Sequence, residues 1–176
     1  MSNTTLYETT IPTFIRGLQT LSYILAKAGA YADEHQISAQ AVAGWALCDD
    51  MRPLSFQVQL ASNTAKKSVE RLTAFSGSPW PDDEDSLPRL AERVDKTIDF
   101  LERTDFAAIN SPNPSTIHLV LKDRIFDFSR EDYVLKYALP NFFFHVQTAY
   151  AILRMKGVQI GKFDYLNAFL KGDEKK

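Results

Sequence analysis

The chain has 176 residues, of which 45% are hydrophobic and 24% are charged, the proportions of an ordinary globular domain. Its length fits a single domain over residues 1–176 with one well-buried core. Lys and Arg number 20 and Asp and Glu number 22, so the net charge of −2 lacks the basic excess of a nucleic-acid-binding protein.

The first predicted helix starts at Thr9 or Thr10, since either hydroxyl can cap it and Pro12 then falls in its first turn. Apolar residues follow at steps of three and four, which makes one apolar face. Gly29 and the polar run at residues 33–36 are predicted to end this helix.

A connection follows over residues 37–52, and Ser38 can cap one short helix within it. The second long helix is predicted from Pro53, because the residue before a proline is disfavoured in helices. Its inward stripe is Leu54, Val58, Ala61, Ala65, Val69 and Leu72.

The third long helix is predicted to begin near Ser86 and Pro88, after a loop at residues 76–86. One side of this helix is apolar and the other is charged, a pattern typical of a helix with one solvated face. The charged side carries Arg89, Glu92, Arg93, Asp95, Lys96 and Asp99.

The helical pattern breaks at residues 110–115, and residues 116–128 then alternate in a way that predicts a small β-hairpin. Ser129 is a cap for the fourth long helix, which is predicted to close at Lys156-Gly157. Because Pro140 lies inside this helix, we expect a kink there.

The apolar tail at residues 158–170 is expected to dock on the body, and residues 171–176 are expected to fray. Four amphipathic helices with one long crossover connection describe an all-α four-helix bundle. The hairpin before the last long helix is an addition to that bundle.

The single cysteine, Cys48, cannot form an intramolecular disulfide, which favours a reducing, cytoplasmic setting. The first ten residues have neither the basic nor the apolar region of a signal peptide, so we expect none. No apolar run reaches the roughly 18 residues that a membrane helix requires, so no membrane association is expected.

Three stretches, residues 50–66, 131–158 and 160–166, resemble a widespread domain-of-unknown-function family of the DinB/YfiT-like superfamily. The resemblance spans roughly residues 5–168 and implies a four-helix bundle with a hairpin before the last, proline-kinked helix. Better-known members of the superfamily bind a divalent metal through one histidine of the second helix and two of the fourth, four residues apart. Some of those members are thiol-dependent transferases or isomerases.

This sequence departs from the metal-binding pattern. Its three histidines are His35, His118 and His145, and only His145 lies in the fourth helix. Asn141 and Ala149 stand four residues before and after it, and the second helix contains no histidine. A typical site needs three or more protein donors, so we expect neither a bound metal nor another cofactor.

His145 is the main candidate for a functional residue, because it lies on the inward stripe of the most apolar helix. A buried histidine hydrogen-bonded to a neighbour and a tentative catalytic histidine in a pocket are both open at this point. Asn141 stands one turn earlier and could orient the ring. The other candidate pocket residues are Gln57, Phe142, Tyr137 and Tyr150.

Two tryptophans, Trp45 and Trp80, lie in predicted loops, where a lid or a partner contact is the alternative to ordinary packing. Cys48 is followed by the acidic residues 49–50, so nothing in the sequence around it lowers its pKa strongly. We interpret it as a small packing residue.

These observations leave three functional hypotheses. The first is a protein that binds a small apolar molecule between the second and fourth helices, including a metal-free isomerase or cyclase. The second is a non-catalytic structural or interaction protein that acts as a homodimer, as related bundles often do. The third is a metal-dependent, thiol-transferase-like enzyme with unusual ligands, which rests on fold analogy. The sequence does not identify a substrate.

Overall fold

The computed structural model describes residues 4–171, so the expectation for residues 172–176 lies outside the described residues. The helices are α1 Leu6–Glu34, α2 Ala39–Ala43, α3 Leu54–Thr73, α4 Leu87–Glu102, α5 Phe106–Asn110, α6 Arg130–Tyr133, α7 Leu139–Met155 and α8 Lys162–Leu170. The strands are β1 Ile117–Leu121 and β2 Arg124–Phe128. A π-helical turn at Val134–Ala138 joins α6 to α7.

The four long helices α1, α3, α4 and α7 form the predicted bundle. In it, α1 packs against α4 and α7, and α3 packs against the same two helices from the other side. All six residues of the predicted inward stripe of α3 are buried in the core. No helix within residues 4–171 has the length and apolar character needed to cross a bilayer.

Helix α1 begins earlier than the sequence predicted. Thr5 caps it in a reciprocal arrangement, in which Glu8 N–H donates to Thr5 Oγ1 and Thr5 N–H donates to the Glu8 carboxylate. The prediction of a start at Thr9 or Thr10 is wrong, because those hydroxyls donate to carbonyls four residues back inside the helix. The helix also continues through Gly29 and ends within the polar run.

The short helices flank the bundle. Ser38 caps α2 as predicted and accepts a hydrogen bond from Ala41 N–H at 3.2 Å. Helix α5 was not predicted from the sequence, although Asp105 caps it by accepting from the backbone N–H groups of Ala107 and Ala108. Its five residues are too few to show a helical period.

The hairpin is antiparallel, with Ile117 opposite Phe128 and Leu119 opposite Phe126. Ile117 and Leu119 are buried, whereas the cross-strand pair of Val120 and Ile125 is exposed. The period-two pattern therefore predicted the two strands.

The fourth long helix of the sequence analysis corresponds to α6, the π-helical turn and α7. Ser129 caps it by accepting from Asp132 N–H at 3.1 Å, and Gly157, with φ of 97°, follows its end. A π-helical turn ends two residues before Pro140, and the kink expected at Pro140 itself stays a prediction. A proline lacks the N–H of a regular helical bond and its ring crowds the preceding turn, so a wider turn accommodates it.

Arg130 joins this segment to the rest of the bundle. Its Nη1 donates to the carbonyl of Leu72 near the end of α3 at 2.6 Å, and its Nη2 donates to the carbonyl of Ile109 in α5. Burial lowers the pKa of this guanidinium, because charge is less well solvated there. The contact fixes the carboxyl ends of α3 and α5 against the start of α6.

The tail docks as predicted, since α8 packs against α1. Thr20 Oγ1 in α1 donates to the carbonyl of Tyr165 in α8 at 3.0 Å. The last described helix therefore covers the outside of the bundle on the α1 side and also contacts α7 through Phe169 and Tyr165.

Candidate functional site

A row of polar side chains, which we call the polar seam, lies between α3 and the segment from α6 to α7. Residues four apart share one face of a helix, so each half of the row occupies a single face. Contacts pair the start of α3 with the middle of α7 and the end of α3 with α6, so the two halves run antiparallel. The members are Gln57, Thr64, Ser68 and Arg71 on α3 and Tyr133, Tyr137, Asn141 and His145 opposite them.

At one end of the seam, Gln57 holds the ring of His145. Gln57 Nε2 donates to the carbonyl of Arg52 at 2.9 Å, which orients the amide and points its oxygen at the ring. Gln57 Oε1 lies 2.9 Å from His145 Nδ1. Since an amide oxygen only accepts, Nδ1 must carry the proton. Neutral His145 therefore keeps the lone pair on Nε2.

The Nε2 atom of His145 has no hydrogen-bond partner within residues 4–171, yet it is not sealed off. In that range the only buried side-chain nitrogen or oxygen without a partner is Nδ2 of Asn110, so Nε2 retains contact with solvent. The residue as a whole is 7% exposed, and this burial lowers the pKa of the imidazole. The ring is consequently neutral near pH 7 and presents a hydrogen-bond acceptor.

Two aromatic rings border the imidazole. Phe56 lies edge-on with its centroid 6.2 Å from that of His145, and Phe144 is similarly placed at 5.3 Å. Phe144 is 58% exposed, which is unusual for a phenylalanine on a packed helix. The histidine thus lies beside two aromatic rings, with the guanidinium of Arg52 4.8 Å from the ring centroid of Phe56.

The other end of the seam is built around Tyr133. Ser68 Oγ donates to the carbonyl of Thr64, so the hydroxyl of Tyr133 donates to Ser68 at 3.1 Å. The same hydroxyl accepts from Arg71 Nη1 at 2.9 Å. Within the described range, Arg71 has no carboxylate within ion-pair distance, so its charge has no counterion there.

Tyr137 lies in the π-helical turn, next to Tyr133 and near Arg71. Burial raises the pKa of its hydroxyl, Tyr133 adds to the effect, and Arg71 opposes it. The hydroxyl is therefore protonated near neutral pH. It makes no hydrogen bond with residues 4–171 and retains some contact with solvent, so it is available as a donor.

Asn141 lies in the middle of the seam but does not orient the histidine as the sequence suggested. Its Nδ2 donates to Thr64 Oγ1 at 2.8 Å, and Gln57 orients the ring of His145 instead. Four of the six residues proposed from the sequence, His145, Gln57, Asn141 and Tyr137, thus come together on the seam.

The other two proposed residues lie elsewhere. Phe142 is fully buried and packs edge-on against Phe14 of α1 at 4.9 Å, where Gly17 leaves room for its ring. Tyr150 packs against Tyr165 of α8 at 5.8 Å and lines a cavity of about 340 Å³ there. Both face α1 or α8 and not α3.

The donor set on the seam does not fit the three-histidine metal site implied by the resemblance. His35 stacks on Tyr31 at the end of α1, and His118 pairs with Asp127 on the hairpin at 2.6 Å. No group of three or more His, Cys, Asp or Glu side chains in residues 4–171 could hold a metal ion. We therefore assign the seam no metal chemistry.

Arg93 was predicted on a solvated face, and that prediction is wrong, since it is only 3% exposed. Its role, which is to hold the loop at residues 76–86, was not predicted from the sequence. All five of its N–H donors are used, on Ser62 Oγ, Asn63 Oδ1, Pro81 O, Asp82 Oδ1 and Glu84 Oε1, at 2.7–3.0 Å. The signal for this role in the sequence was the run of acidic residues in the loop just before α4, the helix that carries Arg93.

The smaller sequence interpretations have mixed outcomes. The thiol of Cys48 donates to Asp50 at 3.2 Å, which raises its pKa and agrees with an unreactive residue, although Cys48 is exposed and is not a packing residue. Trp45 packs edge-on against Tyr31. Trp80 packs edge-on against Phe100 and has three cationic side chains near its ring.

Comparison with known proteins agrees with this architecture. Residues 6–166 match the family described as a domain of unknown function, DUF1993. The crystal structure of a DinB family member protein from Shewanella denitrificans is similar to this chain with a TM-score of 0.81 and 32% identity, over 92% of this chain and 91% of that one. No protein of curated function matches the sequence.

Proposed function

This chain belongs to the DUF1993 family of DinB-like helical bundles, and we propose that it binds a small, largely apolar molecule along the polar seam. The observation that carries the proposal is the unused hydrogen-bonding capacity of the seam. His145 Nε2 and the Tyr137 hydroxyl have no partner within residues 4–171, and Arg71 has no carboxylate there. These groups lie in contact with solvent beside buried side chains, so a ligand that replaces water there can form hydrogen bonds with them.

The His145 end would accept a hydrogen bond from the ligand. Its proton is fixed on Nδ1 by Gln57, so the lone pair on Nε2 faces outward at no cost in rearrangement. The rings of Phe56 and Phe144 on either side favour an apolar body next to the donor group.

The Tyr137 and Arg71 end would bind an acceptor or an acid. Tyr137 and His145 are eight residues apart on a nearly continuous helix, a distance of about 12 Å at the helical rise. The seam therefore suits a molecule of that length, with a donor at one end and a carbonyl or carboxylate at the other.

A neutral, oriented imidazole also has a defined chemical capability. His145 Nε2 could take a proton from a bound carbon acid or hydroxyl and return it to another atom of the same molecule. Proton transfer of this kind is the step shared by metal-free isomerisation and cyclisation, the two reactions that the sequence analysis considered.

The proposal can be tested by native mass spectrometry of protein incubated with a small-molecule cell extract. The parent should retain a specific compound that His145→Asn loses, because asparagine can preserve the Gln57 contact but has no Nε2. The control is His118→Asn, whose ring lies on the exposed hairpin, and it should retain the compound. Equal retention by both variants, or no retention by the parent, would contradict the proposal.

The homodimer hypothesis is favoured by one observation on the same face. Phe144 and the half-buried Phe56 expose apolar surface beside His145, which a second copy could cover. Sedimentation should then show a dimer that dissociates in Phe144→Ser. The control is Phe163→Ser, which removes a ring from α8 that is more exposed than Phe144, at 82% against 58%. A monomeric parent at micromolar concentration would exclude this candidate.

A further inference from the structure

A second cavity, of about 590 Å³, lies away from the seam between α3, α4, α5 and the loop at residues 76–86. Trp80 and Phe100 form one wall, Phe75 forms another, and the buried side chain of Val69 lies at the base. Lys96 stands at the rim. The volume is in the range of small-molecule sites, and the lining is mainly apolar with a few charged groups.

The position of Trp80 is set by the Arg93 network. Arg93 Nη1 donates to the carbonyl of the next residue, Pro81, at 2.7 Å, and its other donors fix Asp82 and Glu84. Trp80 also meets Phe100 edge-on at 5.9 Å. The loop that carries the indole is therefore held in place before any ligand arrives, which lowers the entropic cost of binding.

The cations around Trp80 differ in whether they have an acidic partner. Lys66 pairs with Glu70 at 2.5 Å, and Arg93 pairs with two acids of the loop. Lys96 has no ion pair within residues 4–171, and its Nζ lies 4.3 Å above the indole ring. Of the three cations around Trp80, it is the one without an acidic partner in that range.

The lining also holds two acids, Asp99 and Asp105, and a second cation, Arg103. Asp99 lies 4.0 Å from Arg103, and the Asp105 carboxylate accepts two backbone N–H groups at the start of α5. Of the three cations around the indole of Trp80, Lys96 lies closest, with its Nζ 4.3 Å from the ring centroid. A ligand that complements the site needs a flat apolar body and one negative charge.

We propose that this cavity binds a planar aromatic carboxylate, with its ring against Trp80 and Phe75 and its carboxylate on Lys96 Nζ. Aromatic side chains favour an aromatic body through offset or edge contacts. The ammonium of Lys96 selects the acid over a neutral analogue. The site is independent of the seam, because none of its lining residues belongs to it.

The test uses 2-naphthoate and its uncharged analogue 2-naphthamide, followed by NMR of the indole N–H signals. The protein has two tryptophans, so Trp45→Phe assigns the remaining signal to Trp80. Naphthoate should shift the Trp80 signal saturably and leave that of Trp45 in place. Its affinity should exceed that of naphthamide and should fall as salt is raised.

Lys96→Met keeps most of the apolar stem and removes the charge. It should weaken naphthoate binding about fivefold, the scale of an exposed ion pair, and leave naphthamide binding unchanged. The control is Lys67→Met, an exposed lysine of α3 outside the cavity, which should bind like the parent. Equal affinity for the two ligands, no saturable shift at Trp80, or naphthoate binding unaffected by Lys96→Met would overturn the proposal.

Discussion

Helix α3 carries one polar network towards α4 and another towards α7, and the two differ in how completely their groups are used. Towards α4, Arg93 is 3% exposed and all five of its donors have acceptors. Towards α7, the polar seam leaves His145 Nε2 and the Tyr137 hydroxyl without a partner in residues 4–171.

The difference separates two uses of buried polar chemistry. A saturated network rigidifies a fold, because each of its members would be costly to leave unpaired. A partly used network gives up some of that stability and retains hydrogen-bonding capacity for another molecule. The Arg93 network should therefore matter mainly for folding, and the polar seam mainly for binding.

The largest expected effect is on the saturated network. Arg93→Met should lower the free energy of unfolding by roughly 3 kcal/mol, since removing one partner of a buried ion pair leaves its acids and amides unmatched. The control is Arg89→Met on the same helix. Arg89 pairs with exposed Asp83 and Asp85, so the loss there should be below about 1 kcal/mol. Urea denaturation measures both, and similar losses would refute the distinction.

A smaller loss is expected at the histidine end of the polar seam. His145→Ala should destabilise by about 1–2 kcal/mol, because the oxygen of buried Gln57 loses its donor. His145→Asn should recover much of that stability, since its amide can reach Gln57 from the position of Nδ1. Equilibrium unfolding of the three proteins gives the comparison. If His145→Asn is no more stable than His145→Ala, the contact with Gln57 does not account for the contribution of the His145 ring to stability.

The two tyrosines of the seam give a still finer test. Tyr133→Phe should cost about 1 kcal/mol, because its hydroxyl joins Ser68 to Arg71 in the interior. Tyr137→Phe should change stability by less than about 0.5 kcal/mol, since its hydroxyl has no partner in residues 4–171. Thermal unfolding of the matched pair measures both changes. An equal cost would mean that the Tyr137 hydroxyl is also used within the fold.

The smallest effect is a pH dependence from His145. Burial lowers its pKa in the folded state, so below the ordinary value of about 6.5 the unfolded chain binds the proton more readily. The contribution of His145 is therefore fully present above that value and is lost as the pH falls through the folded-state pKa. Urea denaturation across this window should show the stability of the parent falling relative to His145→Asn. If the difference in free energy of unfolding between the parent and His145→Asn does not change with pH, the lowered pKa of His145 is contradicted.

Periodicity was enough to predict the bundle. Apolar residues at steps of three and four placed the stripe of α3 correctly, and alternation at residues 116–128 located the hairpin. The start of α1 was missed because Thr9 and Thr10 satisfy the same local rule as Thr5, and only the reciprocal contact with Glu8 distinguishes them.

The candidate site was predicted in part. The inward position of His145 follows from its stripe, and Gln57, Asn141 and Tyr137 lie on the same seam. Phe142 was assigned to the pocket although it faces α1, because one apolar helix face borders two neighbours and the sequence does not say which residue meets which. Arg93 was predicted to face solvent because its acidic partners, Asp82 and Glu84, lie in a loop, where no repeating pattern predicts the contacts of a side chain.

The sequence by itself determined the four long helices, the hairpin and the apolar stripe of α3, because backbone geometry repeats every few residues and apolar side chains must follow it. Only the tertiary structure decided which residues of different elements contact each other. His145 and Gln57 are 88 residues apart, and their contact depends on how two rigid helices rotate and slide against each other. That packing places the proton on Nδ1 of His145 and buries Arg93 among its hydrogen-bond acceptors. It also leaves His145 Nε2 and the Tyr137 hydroxyl of the polar seam without a partner in residues 4–171.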